Sequence, residues 1–246
     1  MSPSEKSVRR DLAACYRLVA MYGWDDLIFT HISARVPDEP GHFLINPYGM
    51  LFEEITASSL VKIDLQGQVV GVSNYPVNPA GFTIHSAIHE VRHDAACVMH
   101  LHTLDGTAVS TATHGLLPLN QTAQLVCAAL AYHDYEGVAL DLAERPRLQQ
   151  DLGQKDMMLL RNHGTLTLGR TCAEAFMKMY FLERACSMQV RTLSGVSVAQ
   201  TYPTAPEVIA KNAALMEGSG SADLANKLVW PALIRKLQRH SPDFAD

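Results

Sequence analysis

The segment Cys97-Val98-Met99-His100-Leu101-His102-Thr103 alternates in character, and alternation over this length is the mark of a strand whose successive side chains point to opposite faces. A strand here has a fixed consequence. It sends the imidazoles of His100 and His102 from one face at a sheet edge, which is half of a metal site. A third histidine lies in Arg161-Asn162-His163-Gly164, between the apolar run Met157-Met158-Leu159-Leu160 and the alternating stretch Thr165 to Gly169. That pattern places His163 in a tight turn between two strands, held and exposed. Three neutral imidazoles suit a divalent ion and leave coordination positions open for a substrate. The competing reading is that these are core histidines in a chain with 11 of them. The two-residue spacing at a strand end weighs against it.

Composition removes several classes of function. With 246 residues, 48% hydrophobic and 18% charged, the chain can bury a substantial core. The net charge of −5 and the lack of any basic run longer than Arg9-Arg10 or Arg235-Lys236 argue against nucleic acid and anionic membrane as partners. The longest apolar run, Leu125 to Tyr132, is too short to span a bilayer. The 5 scattered cysteines form no Cys-x-x-Cys pair and read as small buried hydrophobes in a reducing compartment, so a cytoplasmic location is expected.

Periodicity orders the elements. Residues 4 to 22 carry a helical stripe that stops at Gly23, and Ile28–Val36, His42–Asn46, Ser59–Asp64 and Gln68–Gly71 follow as short strands. Phe82–Arg92 returns to helical spacing. Asp105 is placed to cap a helix through His114, Asn120 another through Tyr132, and Thr171-x-x-Glu174 opens a long helix to about Leu193. Pro206–Met216 and Ala222–Arg239 are helical, the second interrupted at Pro231. Residues 1–246 therefore read as one α/β domain with a helical C-terminal extension from about residue 205.

Taken in order, Thr30-His31-Ile32-Ser33-Ala34-Arg35, Ile45-Asn46-Pro47-Tyr48-Gly49, Val98 to Thr103, and Arg161-Asn162-His163-Gly164 followed by Thr171-Cys172-Ala173-Glu174-Ala175 resemble the class II aldolase/adducin family over about residues 8 to 200. Its enzymes include L-fuculose-phosphate and L-rhamnulose-phosphate aldolases and L-ribulose-phosphate 4-epimerase. The resemblance implies a three-layer α/β/α fold with a central, largely antiparallel sheet, and homotetramers with active sites at subunit interfaces. It assigns His100, His102 and His163 to one divalent metal ion, with zinc expected and manganese, iron or cobalt compatible with the same ligands. Such a metal is expected to act as a Lewis acid that stabilises an enolate as a carbon–carbon bond breaks.

Two departures redirect the expected substrate. Where the sugar-phosphate enzymes cradle phosphate, the matching positions here read Thr30-His31, Tyr48-Gly49 and Asn78-Pro79, and where they carry an acid/base carboxylate this chain has Gly81. The segment Asn78 to His89 looks like the adducin branch, yet the three metal histidines are kept. The expected function is a divalent-metal-dependent lyase, of retro-aldol or decarboxylase type, on a small non-phosphorylated hydroxy, keto or aromatic acid. His85 is the candidate proton donor, and His31, Ser33, Asn46, Tyr48, Gly49 and Gly81 are the candidate substrate-binding positions. The alternatives are a non-catalytic adducin-like scaffold and a non-heme iron oxygenase on the same three histidines.

Overall fold

The computed structural model describes residues 1–138, 141–215 and 219–246. Helix α1 (Pro3–Met21) begins as its first residues dictate, with Pro3 in the first turn and the Ser2 hydroxyl accepting the Glu5 N–H at 3.1 Å. It ends before Gly23, whose φ of +67° turns the chain away. Seven strands follow: β1 (His31–Arg35), β2 (His42–Ile45), β3 (Val61–Asp64), β4 (Cys97–Leu101), β5 (Leu130–His133), β6 (Met157–Leu160) and β7 (Gly164–Gly169). They form one sheet in the order β3-β2-β1-β4-β7-β6-β5, antiparallel throughout except for the β5–β6 pair.

The remaining helices are α2 (Pro79–Val91), α3 (Leu104–Thr111), α4 (Gln121–Cys127), α5 (Arg145–Leu152), α6 (Cys172–Leu193), α7 (Pro206–Ala214), α8 (Ser219–Asp223) and α9 (Trp230–His240). Strand alternation divides the core between the two faces of the sheet. Ile32, Ala34, Cys97, Met99 and Leu101 pack with Leu12, Tyr16 and Phe176 under α1 and α6. On the opposite face Val98, Met158, Leu166 and Leu168 pack with Ile84, Ile88 and Leu148 under α2 and α5. This is the three-layer arrangement with a largely antiparallel sheet that the family resemblance implies. Trp230, Leu237 and Phe244 join the core of α1 and α6, so the C-terminal helices close over that face.

Several boundaries differ from the sequence pattern. The first strand starts at His31 because Leu27 and Thr30 take left-handed backbone, with φ of 50° and 68°. Gln68–Gly71 contributes only an isolated bridge from Val69 to Ile63. Thr103, not Asp105, precedes α3, which stops at Thr111, and Asp105 instead accepts bonds from Ser187 and Arg191. Asn120 does cap α4, accepting the Ala123 N–H at 3.0 Å, but the helix stops at Cys127. Leu130–His133 then pairs in parallel with β6, because a short apolar run takes its state from the neighbour it meets. Thr171 caps α6 as expected, while Glu174 reaches the N–H of Arg170 rather than that of Thr171. Met216, the expected end of α7, lies outside the described residues. Pro231 does not break the last helix: a π-helical segment, Leu224–Val229, precedes it, and the wider turn bonds Trp230 N–H to Ala225 O.

Candidate metal centre

Three separate backbone features bring the histidines together. Within β4, His100 shares the α2-facing side with Val98, and His102 follows just beyond the strand end. The β6–β7 turn brings the third, with Asn162 in left-handed backbone at φ 55°, a conformation asparagine tolerates. Gly164 lets that turn close on β4, since a Cβ at 164 would collide with Leu101 O and press on the His102 ring at 3.1 Å. The ring centroids of His100, His102 and His163 then stand 4.9, 4.7 and 4.8 Å apart, and one ligand atom from each lies within 4.8 Å of the others.

The outer nitrogens decide what the inner ones can do. His100 Nδ1 lies 3.0 Å from Thr165 O, and a carbonyl only accepts, so Nδ1 carries the proton and Nε2 is left as a lone pair. His102 Nδ1 lies 3.0 Å from Asp26 Oδ2, with the same outcome. With both rings neutral, the two Nε2 atoms face each other at 3.2 Å as lone pairs. A cation between them relieves that opposition, and the carbonyl and carboxylate behind the rings are the partners that orient metal-binding imidazoles. Burial, then the neighbouring imidazoles, holds His100 well below the usual histidine range, and burial followed by His102 and His133 pushes His163 down to about 4. Neutral rings are the ligand form. The residues present fit a divalent ion.

Beside the triad opens a cavity of about 370 Å³, lined by Phe29, Thr30, His31, Tyr48, Asn78, Ile84, Tyr135, Gly137, Val138 and Asn162 together with the three histidines. Among the described residues, no lysine or arginine contributes to its wall. Of the positions singled out in the sequence, His31 and Tyr48 line it. Gly81 lies in the first turn of α2 directly against the His31 ring. The others go elsewhere. Ser33 is fully buried, its hydroxyl between His85 Nδ1 at 2.6 Å and His89 Nε2 at 2.7 Å. Asn46 turns its Oδ1 to the Tyr16 hydroxyl at 2.9 Å, and Gly49 is an exposed turn residue at φ +108°.

His85, the expected proton donor, does not line the cavity. It is 0% exposed, and burial followed by its neighbour His89 lowers it to about 3, so at neutral pH it is a neutral imidazole rather than an imidazolium acid. Sequence reasoning missed Asp26, 76 positions from the histidine it orients. It set Thr30 with His31 at a position matching the family's phosphate cradle but inside a continuous strand and outside the candidate substrate-binding positions, and it missed Tyr135, because the segment before it read as helix. The unusual backbone at Leu27 and Thr30 left no local sign in the sequence.

Comparison with known proteins gives a consistent result. Residues 10–190 match the family model described as the class II aldolase and adducin N-terminal domain. A Caulobacter vibrioides protein provisionally named as a class 2 aldolase is 55% identical over 246 residues, covering 100% of this chain and 95% of its own. Rat alpha-adducin is 49% identical over 193 residues, covering 77% of this chain but only 26% of the adducin. Among solved structures, an aldolase II superfamily protein from Pseudomonas syringae superposes with a TM-score of 0.93 at 48% identity, over 100% of this chain and 98% of that one. An L-fuculose 1-phosphate aldolase from Glaciozyma antarctica superposes with a TM-score of 0.84 at 26% identity, over 96% and 91%.

Proposed function

Because this chain belongs to the class II aldolase and adducin family, we propose that it is a divalent-metal-dependent carbon–carbon lyase, of retro-aldol or decarboxylase type, acting on a small non-phosphorylated hydroxy, keto or aromatic acid. The facing Nε2 lone pairs of His100 and His102, each with its outer nitrogen already committed, carry this reading. These two residues and His163 would hold one ion, zinc first, with manganese, iron or cobalt suited to the same donors. A bound cation supplies Lewis acidity to adjacent oxygens of a substrate.

The chain's own residues supply the rest. Thr165 O and Asp26 fix the ring orientations, so the donors need no rearrangement when an ion arrives. Phe29, Ile84 and Val138 make part of the wall apolar, the kind of lining that seats the carbon skeleton of a small substrate. With no lysine or arginine among the described residues of that wall, a phosphate dianion would meet no fixed opposite charge from them. Tyr48 and Tyr135 bring phenolic hydroxyls to it and are the candidates for returning a proton to the product.

The same proposal includes a cytoplasmic homotetramer with the cavity at a subunit interface. Leu27, Phe29 and Val138 support the interface, exposed at 65, 42 and 71% on or beside the cavity wall. Among the described residues no helix is long and apolar enough to cross a membrane. The burial of Trp230, Leu237 and Phe244 in the α1 and α6 core supports residues 1–246 as one domain.

Elemental analysis of the purified protein is expected to find about one divalent ion per chain, and His100→Ala with His102→Ala is expected to remove it. A screen of hydroxy and keto acids for released aldehyde or carbon dioxide, with and without oxygen, then tests the chemistry. The 49% identity to alpha-adducin supports a second reading, a scaffold that binds without catalysing. Bound metal with no turnover across that screen would select the scaffold.

A further inference from the structure

The wall of the cavity holds two adjacent side chains whose polar atoms are spent on nothing. Thr30 Oγ1 and both ring nitrogens of His31 are buried without a hydrogen-bond partner among the described residues, and the two residues are 1% and 4% exposed. Each such atom costs free energy unless a ligand meets it. Thr30 is also a β-branched residue in left-handed backbone at φ 68°, a strained conformation found where function requires it. The strand register sets His31 opposite His100, so both residues face the metal triad across one cavity.

Gly81 explains how His31 can be there. A Cβ at position 81 would stand 2.5, 2.6 and 2.7 Å from Cγ, Cδ2 and Nδ1 of the His31 ring. The ring and a side chain at 81 are therefore mutually exclusive. The bare position in α2 is the room that the imidazole fills.

We propose that Thr30 and His31, with Gly81 kept bare beneath the ring, form a subsite that orients the substrate by binding a neutral hydroxyl of an α-hydroxy acid. A threonine hydroxyl and a neutral imidazole each offer one donor and at least one acceptor, which complements a group that also donates and accepts. A carboxylate only accepts, and among the described residues the wall has no lysine or arginine for it. The acid's own carboxylate is thereby left to the metal. The proposal rests on the reading that the histidine triad holds a cation.

Calorimetry on the zinc-loaded protein with glycolate, and with acetate as the same acid lacking the hydroxyl, tests this directly. Glycolate is expected to bind about 10-fold more tightly than acetate. His31→Ala and Gly81→Ala are each expected to abolish that preference while zinc stays at about one per chain. His31→Asn, which keeps a donor and an acceptor, should restore part of it, and Thr30→Val should remove part. In the His31→Ala background, Gly81→Ala is expected to leave thermal midpoint and zinc content as they are in His31→Ala alone, because the ring it displaces is gone. That double variant also distinguishes a displaced ring from a misfolded helix. A wild type that binds both acids equally, or a His31→Ala variant that keeps the preference, overturns the subsite. A Gly81→Ala protein that binds like the wild type overturns the interlock with position 81. A wild type that retains no zinc would instead overturn the metal reading, and the subsite would fall with it.

Discussion

The two ends of the β1–β4 ribbon solve the problem of buried polar groups in opposite ways. At the end where β1 leaves the sheet, Arg35 donates to Ala95 O at 3.1 Å and to Arg92 O at 3.2 Å, and also to His89 O. Arg92 there donates to Asp94, to Asp156 and to the carbonyls of Gly153 and Lys155, all between 2.7 and 3.2 Å. At the other end, where His31 faces His100, the Thr30 hydroxyl and both nitrogens of His31 have no hydrogen-bond partner among the described residues. The backbone there is strained at Leu27 and Thr30. One end is satisfied and serves the fold. The other is left unsatisfied for a ligand, and its polar atoms oppose stability until one arrives.

The largest effect that would test this contrast lies at the satisfied end. Arg92→Ala is expected to lower unfolding free energy by about 3 kcal/mol, because it orphans carbonyls and carboxylates together. Metal content should not change. Loss of bound metal in that variant would mean that the two ends are not independent. The carboxylate of Asp94, held down to about 2 by the hydrogen bonds from Arg92, adds stability above its ordinary value of 3.8 that is lost as pH falls toward 2.

A second effect comes from the α2 face between the two ends. Burial, then the neighbouring His89, pushes His85 down to about 3, and burial, then Arg35, does the same to His89. The unfolded chain binds these protons from about pH 6.5 downward while the folded one does not, so their contribution is complete above 6.5 and is lost progressively toward 3. Each histidine is expected to contribute at most about 1.4 kcal/mol per pH unit in that window. Urea denaturation between pH 7 and 5 measures the slope, and His89→Leu should flatten it. An unchanged slope would show that the ring is protonated within the fold.

The smallest expected effect has the more telling sign. Thr30→Gly relieves left-handed strain and gives up a hydroxyl that has no partner, so it should raise Tm by about 2–4 °C, the equivalent of about 1 kcal/mol in a chain of this size. A thermal melt that shows destabilisation instead would mean that Thr30 is as well satisfied as the opposite end.

Much of the site could be read from the chain because its geometry is local. The alternation from Cys97 to Thr103 is enough to put His100 and His102 on one face, and the turn at Arg161-Asn162-His163-Gly164 is enough to place His163 between two strands, although the structure half-buries it rather than exposing it. Ser33, Asn46 and His85 carry suitable chemistry but belong to buried networks with His89 and Tyr16, and no spacing in the sequence separates those uses. The helix expected through Tyr132 failed for a related reason. Leu130–His133 becomes a strand only because β6 lies beside it, and so the wall residue Tyr135 was missed.

By itself, then, the sequence determined whatever depends on a few neighbouring residues: the strand faces, the caps at Ser2, Asn120 and Thr171, and the histidine pair. Only the tertiary structure decided that Asp26 stands behind His102, that the Gly164 turn closes on Leu101, and that the His31 ring fills the space above Gly81. Those relations join positions tens of residues apart. Their distances are set by how the layers pack and by which atoms exclude one another, neither of which is written in any local run of residues.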